Sequence, residues 1–409
     1  MSGLLWPGDE RAAGVLDDAA VLAAMVAVEA AWLAGLVEAG VAPAGATAHP
    51  ADLSGLVGPD DLADLAAAAE SGGTPVLPLV ALLRDRLRDR GAHEAARWLH
   101  RGLTSQDVVD TALVLGARDA LDAVTAHQRR QLTLLAELAE AHTATPAVAR
   151  TLTQHAVPTT FGVRVAGWLT GVLDATRRVR DARAGLRVQL GGAAGTLAAA
   201  VELAGDADVV RALADATAAR LGLAPAPPWH TVRGPVAVVG DALVAATDAW
   251  GHLAADVLSL TRSEVGEVAE GAGGGSSTMP HKANPVLSVL LRRAALAAPG
   301  LGATLHLAAA TAVDERSDGA WHVEWETLAL LARRTVVAAG QATDLLGGLR
   351  VDVDRMAANL AAADGVDAEQ RAMADLAGRP PAASYDGLAS WIVSSAVTDA
   401  RHHLTEESA

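Results

Sequence analysis

The sequence predicts an all-α protein, an elongated three-domain fold around a central bundle of long helices, and three observations carry that expectation. Apolar residues recur at steps of three and four through long stretches with few breaks. Alternating polar and apolar patterns of the kind strands show are scarce. Glycine and proline gather instead in short breaks at 43–50, 72–78, 191–195, 224–228, 271–275 and 378–381.

Taken from the N-terminus, residues 19–37 are almost all apolar. Glu29 interrupts them and alanine adds little to membrane insertion, so the stretch reads as a buried helix and not as a membrane span. Arg84, Arg86, Arg88 and Arg90 interleave with Asp85 and Asp89 as a solvated helix face would. Residues 117–145 contain no glycine or proline, and Leu121, Val124, Leu132, Leu135 and Leu138 form one apolar stripe. The stripe continues backwards through Leu115 and Val108, which predicts a helix of over thirty residues. Further helical stretches cover 161–188, 236–270, 285–313 and 321–339. The domains expected are an N-terminal one (1–103), a central bundle (104–346) and a short C-terminal one (347–409). Helices this long leave apolar stripes that a short monomer does not cover, so self-association is expected.

Composition narrows the function. A net charge of −16 and a pI near 5.2 argue against a nucleic-acid partner. There is no cysteine, hence no disulfide framework and no thiolate zinc site. The first ten residues lack the basic and apolar regions of a signal peptide, which leads us to expect a cytoplasmic protein with no membrane partner. The histidines are scattered and Gly191–Gly195 follows no strand, so neither a metal nor a nucleotide-type cofactor is expected.

The single lysine of the chain, Lys282, lies in Gly273-Gly274-Gly275-Ser276-Ser277-Thr278-Met279-Pro280-His281-Lys282-Ala283-Asn284-Pro285. The other basic side chains are arginine, and only two asparagines occur, Asn284 and Asn359. A lysine kept in so arginine-rich a chain points to a need for a compact, rotatable ammonium. A glycine-rich loop between two helices offers backbone donors, hydroxyls and one ammonium, a combination suited to a carboxylate or a developing oxyanion. An arbitrary Gly-Ser run is usually a linker, but Met279, Pro280, Lys282, Asn284 and Pro285 make this one too specific for a spacer.

This stretch resembles the signature Gly-Ser-Ser-x-Met-Pro-x-Lys-x-Asn-Pro of the fumarase/aspartase superfamily and matches it throughout 275–285. Two further blocks follow the order of that family, 100–112 (His-Arg-Gly-Leu-Thr-Ser-Gln-Asp-Val-Val-Asp-Thr-Ala) and 150–162 (Arg-Thr-Leu-Thr-Gln-His-Ala-Val-Pro-Thr-Thr-Phe-Gly). The resemblance implies a fumarase/aspartase-like fold and a homotetramer whose composite active sites draw on three subunits. It also implies addition or elimination next to a carboxylate through an aci-carboxylate carbanion, with a small polycarboxylate as substrate. The first signature serine, Ser276, is then the base. Lys282, Asn284, Ser277 and Met279 complete the loop's share of the site. An unperturbed serine is a weak base, so the folded loop must stabilise its alkoxide.

The second and third blocks supply the other candidates. Thr104, Ser105 and Gln106 are carboxylate donors by resemblance, and by residue type they also suit a helix N-terminus. Arg150, Thr151, Gln154 and Arg316 are candidate carboxylate ligands. His155 is a candidate proton donor or ligand near a helix start, and His100 and Glu315 match family site positions. Trp321, His322 and Trp325 read as packing. Several relatives carry a histidine acid where this chain has Leu152. That replacement, with the run Asp314-Glu315-Arg316-Ser317-Asp318-Gly319-Ala320-Trp321-His322, resembles the 3-carboxy-cis,cis-muconate cycloisomerase branch. There a carboxylate is the leaving group in the reverse direction and needs no proton. Departures from the branch are Ala283, where a basic residue is usual, a short approach from Glu270 to the loop, and the short third domain. The alternatives are a superfamily lyase releasing an amine or ammonia from a succinate-type substrate, and a noncatalytic helical scaffold.

Overall fold

A computed structural model describes residues 3–46, 53–271, 274, 279 and 282–406, and the chain is all-α as expected. The helices are α1 (Asp18–Glu38), α2 (Leu62–Gly72), α3 (Val76–Asp89), α4 (His93–Trp98), α5 (Ser105–Ala141), α6 (Phe161–Ala184) and α7 (Ala198–Ala204). They continue as α8 (Ala207–Arg220), α9 (Gly234–Leu260), α10 (Val286–Ala310), α11 (Ala320–Gly348), α12 (Val353–Ala361), α13 (Ala368–Leu376) and α14 (Ala389–Glu406). At 37 residues α5 runs for about 55 Å. Of its predicted stripe, Val108, Leu121, Val124, Leu132 and Leu135 are fully buried and Leu138 is half-buried. Helix α1 starts where Asp17 accepts the amide of Ala20, and it buries Trp32, Leu33 and Leu36. Among the described residues, α1 and α10 are long and apolar enough to cross a membrane.

The chain packs as two compact units, each assembled from three stretches of sequence. The first comprises Met1–Ala123, Arg180–Leu243 and Pro299–Val336; the second comprises Val124–Val179, Val244–Ala298 and Val337–Ala409. Helices α5, α6, α9, α10 and α11 each contribute residues to both units. Trp32, Leu79, Leu83, Leu99 and Leu243 form the core of the first unit. Phe161, Trp168, Trp250, Leu253 and Met356 form that of the second, where the Phe161 ring meets Trp168 edge-on.

Two local readings are corrected. The segment before α6 is an antiparallel hairpin of β1 (Pro146–Thr151) and β2 (Gln154–Thr160), so His155 sits on a strand and not at a helix start. Pro146, Pro158 and an irregularity in register between Val148 and Arg150 hide the strand alternation in the sequence. A second, two-residue pairing joins β3 (Val268–Ala269) to β4 (Arg350–Val351). The arginines of α3 are not merely a solvated face. Arg86 forks onto Asp61, Arg84 donates to the carbonyl of Leu99 at 2.7 Å and Arg90 to that of Gly55 at 3.2 Å, tying neighbouring segments to α3.

Candidate active site

In the second unit, the lysine loop is closed at its base by three successive contacts. The β3–β4 pairing comes first. Glu270, buried, then accepts the amides of Leu287 at 3.0 Å and Ser288 at 2.8 Å and the Ser288 hydroxyl at 2.7 Å, which places a carboxylate on the orphan N–H groups that open α10. Gly274 and Asn284 finally exchange both backbone hydrogen bonds, at 3.0 and 2.9 Å. Glycine is required here for close approach: a Cβ on Gly271 would lie 2.5 Å from the carbonyl oxygen of Gly348, and one on Gly274 would overlap Val286. The Lys282 amide donates to the carbonyl of Met279, and the Lys282 side chain is exposed. Asn284 is half-buried. Ser276 and Ser277 lie outside the described residues.

The hairpin lies in the same unit. Arg150 pairs across the strands with His155 and Thr151 with Gln154, and the two-residue turn between them is Leu152-Thr153. Both turn residues have positive φ, 48° and 72°. A hairpin turn of this hand normally takes Asn-Gly, so a leucine and a threonine there hold about 1–3 kcal/mol of strain each. Leu152 is 96% exposed within the chain, and Thr151, Gln154 and His155 are exposed beside it. Arg150 is drawn inward. Its Nη1 and Nη2 donate to Glu267 at 3.1 and 2.6 Å, and Glu267, almost wholly buried, also accepts from Asn359 at 2.8 Å. The fork expected to hold a substrate carboxylate therefore grips an internal one, and it ties the hairpin to the residues that lead into the loop.

The remaining candidates belong to the first unit, where α5 begins. The carbonyl of Thr104 accepts the amide of Asp107 while Asp107 accepts the amide of Thr104 at 2.9 Å, a reciprocal cap. Asp107 also takes the amides of Gly191 at 2.7 Å and Gly192 at 3.0 Å, which pins the 191–195 break against the helix start. Burial pushes the Asp107 carboxyl up to about 7 against the pull of these three N–H groups. The Thr104 hydroxyl accepts from Arg316 Nη2, so these two exposed-side candidates meet. Gln106 is turned inward: its Nε2 donates to Asp110 at 3.2 Å and to the carbonyl of His230 at 2.8 Å. His100, at φ 64°, has Nδ1 2.6 Å from buried Glu29. Ser105 is buried and Glu315 exposed.

Beneath this surface lies a cluster that sequence reasoning missed. Arg233 donates to Asp110 at 2.7 and 3.0 Å and to Glu324 at 2.6, 3.0 and 3.2 Å, and all three side chains are at most 2% exposed. Trp321 adds an indole N–H to Asp110 at 2.8 Å, and Arg233 stacks on Trp229. Burial opposes the charge on Arg233, but Asp110 and Glu324 outweigh it and hold its pKa above the ordinary value. Burial raises Glu324 against the pull of Arg233, and the neighbouring Asp110 adds to the rise. The available signal was a set of charges, Asp110 and Glu324, within otherwise apolar helical stripes.

Residues 64–300 match the family model described as lyase. The chain is 44% identical to nitrosuccinate lyase of Streptomyces davaonensis, covering 92% of this chain and 80% of that one. It is 41% identical to 3-carboxy-cis,cis-muconate cycloisomerase of Bradyrhizobium diazoefficiens, covering 90% and 81%. The crystal structure of the 3-carboxy-cis,cis-muconate lactonizing enzyme of Pseudomonas putida superposes with a TM-score of 0.84 at 32% identity, over 96% of each chain. The chain belongs to the fumarase/aspartase superfamily.

Proposed function

We propose that the protein closes 3-carboxy-cis,cis-muconate to 4-carboxymuconolactone. One substrate carboxylate adds to the alkene, and the carbanion left beside another carboxylate takes a proton. Leu152 carries this reading against the release of an amine. An apolar side chain at the hairpin tip provides no acid, and a carboxylate leaving group in the reverse direction requires none, whereas an amine must be protonated as it departs. Ser276 exchanges the proton at carbon, and Lys282 with the amides of the loop receives the charge that grows on the carboxylate oxygens. The exposure of Leu152, Gln154 and His155 within one chain suits a site completed by other copies, and we take the working form to be a cytoplasmic homotetramer.

The similarity to nitrosuccinate lyase supports a second reading, elimination of nitrite from a nitro-substituted succinate. Nitrite also leaves without a proton, so Leu152 fits both. Purified protein supplied in parallel with 3-carboxy-cis,cis-muconate and nitrosuccinate separates them. Loss of diene absorbance with lactone identified by NMR supports the first reading; nitrite release without lactone formation replaces it with the second.

A further inference from the structure

Immediately before α9, the chain places a histidine whose backbone is held on both sides while its ring is not. The Trp229 amide donates to Gln189 at 2.7 Å and its indole to the carbonyl of Val188 at 2.9 Å. The His230 carbonyl accepts from Gln106 at 2.8 Å and from Arg233 at 3.5 Å. Gly195, at φ 77°, lies flat against the imidazole: a Cβ there would stand no more than 3.0 Å from Cε1, Nε2 and Nδ1. Among the described residues neither ring nitrogen has a hydrogen-bond partner, and Nδ1 is buried. The ring is within electrostatic reach of Asp110, Arg233, Glu315 and Arg316, and Arg316 is the residue that meets Thr104.

We propose that His230 is a substrate-contacting residue whose Nε2–H donates to a carboxylate of the ligand held by Thr104 and Arg316, an assignment that rests on the polycarboxylate reading above. The tautomer follows from burial. A proton on Nδ1 would bury a donor without an acceptor, so the proton belongs on Nε2. Burial also lowers the pKa of the ring, which favours its neutral form. Gln106, whose amide nitrogen holds the His230 carbonyl, acts as a positioning residue and not as a ligand.

The test compares wild type with His230→Ala and His230→Gln, the second keeping an N–H donor. Two readouts are used: steady-state kinetics on 3-carboxy-cis,cis-muconate, and calorimetric titration with tricarballylate, a nonreactive tricarboxylate. A lost neutral hydrogen bond to a carboxylate corresponds to about a tenfold effect. His230→Ala raises KM and the tricarballylate Kd about tenfold with kcat changed less than threefold, and His230→Gln recovers most of both, at unchanged melting temperature. Equal binding and kinetics in wild type and His230→Ala overturn the assignment alone. Equal impairment of both variants with lowered melting temperature makes the residue structural and also overturns it. Wild type that neither binds tricarballylate nor turns over the muconate removes the polycarboxylate reading itself, and this assignment with it.

Discussion

Replacing Arg233 by methionine removes the guanidinium that pairs with buried Asp110 and Glu324. Five N–H···O contacts to the two carboxylates disappear, between 2.6 and 3.2 Å. Methionine keeps much of the stem volume against Trp229, so the loss is electrostatic and not a cavity. Breaking one buried pair costs roughly 3–5 kcal/mol. Because two carboxylates are stranded, the upper part of that range is expected near pH 8, a large share of the ~5–15 kcal/mol that holds a typical domain. The pH dependence has a definite sign. Burial already raises the Glu324 carboxyl, and losing the guanidinium removes the pull that opposes the rise, so the variant is least impaired at low pH and loses stability as pH rises through the raised value. Urea unfolding of both proteins at pH 5 and pH 8, at fixed subunit concentration, measures it. Adding Glu324→Gln to the variant recovers at least about 1 kcal/mol at pH 8, the coupling expected of residues in contact. A loss under about 1 kcal/mol, or one independent of pH, refutes the account of this cluster.

Ser276→Ala abolishes turnover while the melting temperature stays within a few degrees, as a base confined to the loop requires; full activity would dismiss Ser276 from that role. Glu270→Gln turns part of the cap on α10 from acceptor to donor, costing about 1–2 kcal/mol by urea unfolding, and lowers kcat, read in the diene assay, as the loop base loosens. Asp107, raised to about 7, contributes stability that is complete below the ordinary value of 3.8 and is lost as pH rises through 7. That span corresponds to at most about 4 kcal/mol, and Asp107→Asn deletes this part of the slope between pH 5 and 8 in thermal melts while lowering stability throughout.

The long helices were legible because their stripes are long: α5 keeps one apolar face from Val108 to Leu135. The hairpin was not, since Pro146, Pro158 and the irregularity near Ala149 break the alternation within fifteen residues. The loop was legible from composition, through the one lysine. Where the candidate side chains point was not. Arg150 and Gln106 have the right chemistry for a ligand and turn to Glu267, Asp110 and the His230 carbonyl, partners that lie 117, 4 and 124 residues away. The Asp110–Arg233–Glu324 cluster joins residues 123 and 91 positions apart, a pairing that no local period encodes.

The most direct test of the account is lactonisation carried out in D2O. Purified protein given 3-carboxy-cis,cis-muconate should form 4-carboxymuconolactone carrying one deuterium, on the carbon beside the carboxylate, because the carbanion there is protonated from an exchangeable donor in the loop. Failure to form the lactone, or lactone free of deuterium at that carbon, contradicts it.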